Sequence, residues 1–297
     1  MFTNKKIKME RKDFIKLTSI AAATLLAQPA SAFNLFANEE SGKIKNVGIQ
    51  VWTVRDAMAK DPKATLKALA TYGYKLIETF DGEKGMFWGM TPKEFKSFLG
   101  DNNLSIKTAH CNLTKDFEKK AEQAKSIGME YLIYPWEGPS KTIDDYKKLA
   151  EDFNKKGAYL KKMGMKLAFH NHDYTFKLLE GQYAQDVLMQ NTQADLVDYQ
   201  MDIYWVVTAG QNPVEWFKKY PNRFTLCHIK DRMKNAAATN LDASCVLGTG
   251  QINFSQILKE GKKLGMKYFI TEQEHYDEGT PLKCAQKNAD YFKKFKL

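Results

Sequence analysis

The sequence predicts one closed (β/α)8 barrel, eight parallel strands ringed by helices, and three observations carry that prediction. First, one phrase recurs four times: an apolar or aromatic residue, Gly, another such residue, Lys or Glu, then an apolar run. It reads Tyr72-Gly73-Tyr74-Lys75-Leu76-Ile77, Ile127-Gly128-Met129-Glu130-Tyr131-Leu132-Ile133, Met163-Gly164-Met165-Lys166-Leu167-Ala168-Phe169 and Leu264-Gly265-Met266-Lys267-Tyr268-Phe269-Ile270. Each copy follows a Lys-rich stretch of helical periodicity. Gly there supplies a left-handed helix cap, and the short apolar run after it reads as a buried parallel strand. Second, strands placed from these anchors fall near 47–52, 76–80, 105–110, 131–134, 167–170, 196–202, 224–229 and 268–271. Helical patterns fill the intervals, for example 62–72, 117–127, 143–163 and 254–264, and such alternation implies a helix-covered parallel sheet. Third, no Gly-x-Gly-x-x-Gly turn follows the first strand, as a dinucleotide-binding open sheet would require, and no linker divides the chain.

The barrel is predicted to start after a leader. Lys5, Lys6, Lys8, Arg11, Lys12 and Lys16 precede an apolar run over 17–27, and Pro29-Ala30-Ser31-Ala32 ends it. A basic start, a short apolar stretch and an Ala-x-Ala end describe a secretory signal peptide at residues 1–32. The run is too short to span a bilayer comfortably. Arg11-Lys12-Asp13-Phe14-Ile15-Lys16 resembles a twin-arginine export signal with lysine in the second arginine's place. No cysteine lies at the cleavage point, so no lipid anchor is expected. The reading is a periplasmic or otherwise exported protein, with the barrel over 33–297.

Charge then loses its first meaning. The chain carries 45 basic and 35 acidic residues, a formal charge of +10, but the leader holds +4 of it. The remaining lysines are spread over helical faces, with no basic block interleaved with aromatics, so no nucleic-acid partner is expected. Composition excludes disordered and collagen-like chains. The four cysteines have no motif spacing; an oxidising compartment would permit a bridge without the sequence selecting a pair.

Chemistry in such a barrel belongs at the C-terminal strand ends. Strand three ends in Ala109-His110-Cys111-Asn112, strand five in Phe169-His170-Asn171-His172-Asp173 and strand six in Tyr199-Gln200-Met201-Asp202. Strand seven ends in Cys227-His228-Ile229-Lys230-Asp231, and strand eight in Thr271-Glu272-Gln273-Glu274-His275. All five histidines lie at or just past these ends, too many for chance core packing. His170 and His172, His228 and Lys230, and Glu272 and Glu274 are each two apart, so each pair can face the mouth together. His, Asp and Glu on neighbouring strands form a mixed nitrogen and oxygen set suited to Mn²⁺, Co²⁺, Zn²⁺ or Mg²⁺. Such an ion polarises a sugar carbonyl, and a nearby Glu can take the proton on the adjacent carbon. Trp52, Trp88, Trp136 and Trp205 follow strands one, two, four and six, where aromatics can stack on sugar faces. Trp216 lies in a helical stretch and reads as core. Glu78 is placed to touch substrate or to pair with Arg55.

At these residues the sequence resembles the sugar phosphate isomerase/epimerase family, the xylose-isomerase-like TIM barrels. The pieces that carry the resemblance are His170-Asn171-His172-Asp173, Asp202-Ile203-Tyr204-Trp205, His228-Ile229-Lys230-Asp231, Gly248-Thr249-Gly250-Gln251-Ile252-Asn253-Phe254 and Glu272-Gln273-Glu274. The resemblance implies a divalent metal held by a strand-five residue, Asp202, His228 and Glu272, with Lys230 and His110 reaching substrate. The better known epimerases carry a glutamate on strand five, where this chain has His170 with His172 beside it. The two-glutamate proton shuttle is thereby weakened, and Glu274 and His172 become the expected proton carriers.

The leading expectation is thus an exported, metal-dependent isomerase or epimerase of a non-phosphorylated sugar, working by proton abstraction next to a carbonyl through an enediolate. Inositol-pathway dehydratases of the same superfamily have a similar His-rich strand five, so lyase or hydratase chemistry on a keto-sugar or keto-glycoside stands as the alternative. A nuclease would need more metal ligands than five histidines leave, and a sugar-binding barrel without chemistry is the third reading. A homo-oligomer is compatible with all of them.

Overall fold

The computed structural model describes residues 44, 46–136 and 138–297. The predicted leader lies outside them. Eight parallel strands close into a barrel in sequence order. They are β1 (Val47–Gln50), β2 (Leu76–Phe80), β3 (Ser105–His110), β4 (Tyr131–Tyr134), β5 (Lys166–His170), β6 (Val197–Asp202), β7 (Phe224–Ile229) and β8 (Tyr268–Thr271). β8 pairs with β1 through Val47↔Phe269 and Ile49↔Thr271, which shuts the ring.

The recurring Gly phrase works as its chemistry requires. Gly73, Gly128, Gly164 and Gly265 all have positive φ, between 69° and 113°, at the turn from helix to strand. The helices of the predicted intervals are α2 (Pro62–Tyr72), α4 (Phe117–Ser126), α5 (Ile143–Lys162) and α9 (Phe254–Lys263), joined by α1 (Arg55–Lys60) and α3 (Pro92–Asp101). α6 (Ala184–Asn191), α7 (Ile203–Thr208), α8 (Pro213–Lys219) and α10 (Pro281–Lys294) complete the set. α3 and α5 open on capping boxes, Thr91 with Glu94 and Thr142 with Asp145.

β1 ends two residues earlier than its apolar run suggests. The Gln50 side chain accepts a hydrogen bond from Trp52 N at 3.1 Å, and the chain turns into a 3-10 helix at Val51–Val54. Trp52 therefore leaves the strand and emerges at the rim, 39% exposed. Two short antiparallel ribbons, Leu178–Leu179 with Gln182–Tyr183 and Asp231–Arg232 with Ser244–Cys245, decorate the loops. They were invisible as patterns because two residues show no period.

The main core lies between sheet and helices, where Phe153 stacks on Phe169 and Phe169 meets Tyr199 at 5.5 and 6.3 Å. Each such ring, fully buried, contributes roughly 1.5–3 kcal/mol. A separate apolar cluster of Ile133, Ala168 and Leu226, all buried, fills the barrel interior. Below it the buried Asp198 carboxylate is held by Tyr131 Oη at 2.8 Å, Thr225 Oγ1 at 3.0 Å and the Lys166 ammonium. These layers floor the site. All four cysteines are buried and free, so the bridge the leader would permit is not formed. Among the described residues no helix is long and apolar enough to cross a membrane.

Candidate metal and substrate site

Strand register brings the polar residues together. Gln50 lies beside Glu78, His170 beside Gln200, and Asp202 beside His228. Because alternate residues share a face, Gln200 and Asp202 both point inward from β6, as do His228 and Lys230 from β7 and its extension. A cavity of about 710 Å³ opens at this end. Eight predicted site residues line it: Trp52, His110, Trp136, His170, His172, Trp205, Glu272 and Glu274. The other four, Glu78, Asp202, His228 and Lys230, lie beneath, at most 1% exposed.

The predicted ligands converge. One ligand atom each from Asp202, His228 and Glu272 lies within 4.8 Å of the others, and these groups are able to hold a metal ion. His228 Nδ1 stands 3.3 Å from Glu272 Oε2. The fourth expected ligand, His170, places Nε2 3.9 Å from Asp202 Oδ2. Asp202 is divided between two tasks. Its Oδ1 caps α7, accepting from Tyr204 N at 2.9 Å and Trp205 N at 3.4 Å. Its Oδ2 is buried with no hydrogen-bond partner. Asn171 fixes the strand end by exchanging hydrogen bonds with the Asp202 main chain. A buried carboxylate oxygen without a donor is costly unless a cation faces it, and the Lys230 ammonium, 3.9 Å away, stands beyond hydrogen-bond reach. The orphaned oxygen, with imidazole and carboxylate donors around it, fits a divalent ion of the type the sequence suggested.

The electrostatics follow from burial and these neighbours. Burial raises the Asp202 carboxyl to about 7, against the pull of Lys230 and His228. Burial opposes ionisation of Glu272, yet Lys230 and His228 hold it well below the usual carboxylate range. His228 is likewise desolvated, and Glu272 and Glu78 raise it to about 10. Burial, helped by the neighbouring imidazoles and Lys230, pushes His170 well down. Burial and then Lys230 push His172 to about 3, so it is neutral near pH 7.

Lys230 was expected to reach substrate, and it does not line the cavity. Its ammonium pairs with Glu274, lies 3.4 Å from Glu272 Oε2, and sits under the Tyr204 and Trp205 rings at 5.0 and 4.9 Å. Glu78 is farther from both of its expected roles. It is fully buried below the histidines and does not line the cavity. Arg55 instead donates to Trp52 O and to Tyr276 Oη at 2.8 Å. His275, the fifth histidine, leaves the cluster for Asp242 at 3.4 Å.

The tryptophans divide in two. Trp52 meets Phe80 edge-on at 5.0 Å, and Trp136, 56% exposed, meets His172 at 4.5 Å; both stand at the rim. Trp88 is buried, donating Nε1–H to Thr79 Oγ1 at 2.9 Å, and Trp216 is core, as its helical position implied. Gln50 and Gln200 were not assigned roles from sequence. Uncharged amides carry no strong signal, although Gln200 stands two residues before Asp202 on the same face.

Comparison with known proteins agrees with this architecture. The chain is 32% identical over 164 residues to an inosose dehydratase of Clostridium perfringens, covering 50% of this chain and 54% of that one. The chain thus spans about half the length of that curated relative. An inosose dehydratase of Lacticaseibacillus casei is 24% identical over 258 residues, 74% of this chain and 84% of the relative. The crystal structure of a sugar phosphate isomerase/epimerase from Parabacteroides distasonis superposes with a TM-score of 0.72 at 28% identity, covering 89% of this chain and 97% of its own. With residues 66–295 matching the model for xylose isomerase-like TIM barrels, and a barrel whose strand ends carry the expected polar set, the chain belongs to that family.

Proposed function

We propose that this protein is an exported, metal-dependent enzyme that removes the proton next to the carbonyl of a keto-sugar or keto-glycoside and expels the β-oxygen, a lyase of the dehydratase type. The observation that carries the reading is the distribution of carboxylates along the cavity. Asp81 and Asp173 are paired with Lys120 and Lys177, and Glu272 belongs to the ligand group. Glu274 is also paired, with Lys230, but it stands two residues from Glu272 on the same strand end, outside the ligand group, and we assign it the reacting carbon, while β5, three strands away, presents imidazoles. An epimerase needs a proton carrier on each face of the carbon. An elimination needs one, which can take the proton and hand it on.

Asp202, His228 and Glu272, with His170 beside them, would hold the ion, which supplies charge stabilisation at the carbonyl oxygen. Glu274 takes the proton from carbon as the C–H bond breaks. The carbon–carbon double bond forms as the β C–O bond breaks, and Glu274 returns the proton to the departing oxygen, released as water or as an alcohol. Lys230, kept protonated by Glu272, Glu274 and Asp202 despite its burial, keeps positive charge beside the developing oxyanion. Trp52 and Trp136 offer rings to sugar faces at the rim. No Lys or Arg lines the cavity among the described residues, which supports a substrate without phosphate. The inosose dehydratase relatives support elimination. Isomerisation or epimerisation shares the first step, and His172 holds the place a second proton carrier would need.

The test is incubation with keto-sugars and keto-glycosides and Mn²⁺ or Co²⁺ in deuterated water. The expected result is an unsaturated product, and recovered substrate carrying deuterium next to the carbonyl. Deuterium uptake with inverted configuration and no unsaturation would turn the reading to epimerase. Binding without either would leave a sugar-binding barrel.

A further inference from the structure

Beneath the ligand group, donors from four strands converge on one carboxylate. Glu78 Oε1 lies 2.6 Å from His228 Nε2, 3.0 Å from Gln50 Nε2, 3.1 Å from Gln200 Nε2 and 3.2 Å from His110 Nε2. Its Oε2 accepts from Gln200 Nε2 at 2.9 Å. We infer that Glu78 is a positioning residue that decides which nitrogen of His228, and through Gln200 which nitrogen of His170, turns a lone pair toward the ion. The inference rests on the metal site proposed above.

The chemistry runs outward from the carboxylate, which accepts and does not donate. His228 Nε2, at 2.6 Å, therefore carries its hydrogen, and Nδ1, 3.3 Å from Glu272 Oε2, is the nitrogen left to give up its proton when a cation arrives. Both Glu78 oxygens draw the Gln200 amino group, so the amide oxygen faces the other way. That oxygen lies 2.6 Å from His110 Nε2 and 3.1 Å from His170 Nδ1, and since it too accepts, both are N–H donors. His170 Nε2 is then bare, 3.9 Å from Asp202 Oδ2, which accepts no hydrogen bond. Without the Glu78 acceptor nothing would reserve the Nε2 hydrogen, and a neutral His228 could keep its proton on Nδ1, aimed at Glu272 and against a cation. One buried charge that touches no ion thus keeps two imidazoles available as ligands. Partners of this kind are worth about 10–100-fold in metal affinity.

Metal-stripped full-length protein, labelled with ¹⁵N-histidine, is titrated with Zn²⁺ by calorimetry, and its imidazole spectra are recorded before titration. Wild-type protein is expected to show Nε2–H at His228 and Nδ1–H at His170. Glu78→Gln is expected to bind Zn²⁺ 10–100-fold more weakly with a changed His228 tautomer, whereas Gln200→Met disturbs His170 and leaves His228 as it was. If wild-type protein binds no Zn²⁺, the proposed function fails and this inference falls with it. If wild type binds and Glu78→Gln binds within twofold, with both tautomers unchanged, the positioning role alone is overturned. Should Glu78→Gln not fold, the wild-type spectrum decides, since the absence of Nε2–H at His228 or of Nδ1–H at His170 overturns it.

Discussion

Replacing Asp202 with asparagine should abolish metal binding and yet leave the metal-free protein more stable at neutral pH. The Asp202 carboxyl has no exposure, and burial raises it from 3.8 to about 7. A group whose folded pKa lies above its unfolded value leaves the fold unpenalised below the unfolded value. It destabilises increasingly as pH rises between the two, and by a constant amount above the folded value. Each tenfold in proton affinity is worth about 1.4 kcal/mol, so the upper figure is about 4 kcal/mol at pH 8. Asparagine keeps an oxygen for the Tyr204 and Trp205 amides, so the α7 cap survives, and Lys230 keeps Glu272 and Glu274. Chelator-treated wild type and Asp202→Asn are unfolded in denaturant at pH 4 and pH 8. The expected gain for the variant is about 1–4 kcal/mol at pH 8, shrinking toward zero at pH 4. Added Mn²⁺ at a hundred times its dissociation constant should stabilise wild type by about 2.7 kcal/mol and the variant not at all. A variant less stable than metal-free wild type at pH 8 would refute the claim that the bare oxygen is held for a cation.

Glu274→Gln should lower turnover and solvent-deuterium exchange by roughly 10²–10⁴-fold while Zn²⁺ affinity, read by calorimetry, stays within a few-fold. Trp136→Ala, at the rim, should raise KM by roughly 2–10-fold with kcat little changed, the loss expected for one stacked ring in steady-state assays. A methyl group on Gly250 would come within 2.3 Å of Arg232 O and Asp231 Oδ1, where Asp231 gathers the amides of Gly248, Gly250 and Ile252. Gly250→Ala should therefore cost about 3 kcal/mol or more in denaturant unfolding, as buried charge-assisted hydrogen bonds are lost.

The strands and the ligand group were legible because both follow periods. Buried runs after a Gly cap announced the strands, and His228 with Lys230, or Glu272 with Glu274, announced shared faces. Depth was not legible. From sequence, Glu78 and Lys230 look like any charged residue at a strand end, and only packing shows that they lie below the cavity and not on its wall. Trp88 and Trp136 both follow a strand, eight and two residues past its end. Trp88 finds Thr79 and is buried, whereas Trp136 meets His172 and Tyr174 edge-on and stays 56% exposed. The Gln50 and Gln200 amides escaped notice because their role depends on a neighbour from another strand.

The floor of the barrel has a kinetic meaning. Asp198 and its donors, with Ile133, Ala168 and Leu226, fill the barrel beneath the site, and the cavity opens among the strand-end residues. On the proposed reading, substrate and product pass the rim aromatics Trp52 and Trp136. On the same reading, a proton taken by Glu274, whose side chain is 37% exposed, can exchange with water while the molecule is still bound. The deuterium that recovered substrate acquires would then grow with the time each occupant stays, and would act as a clock for its release.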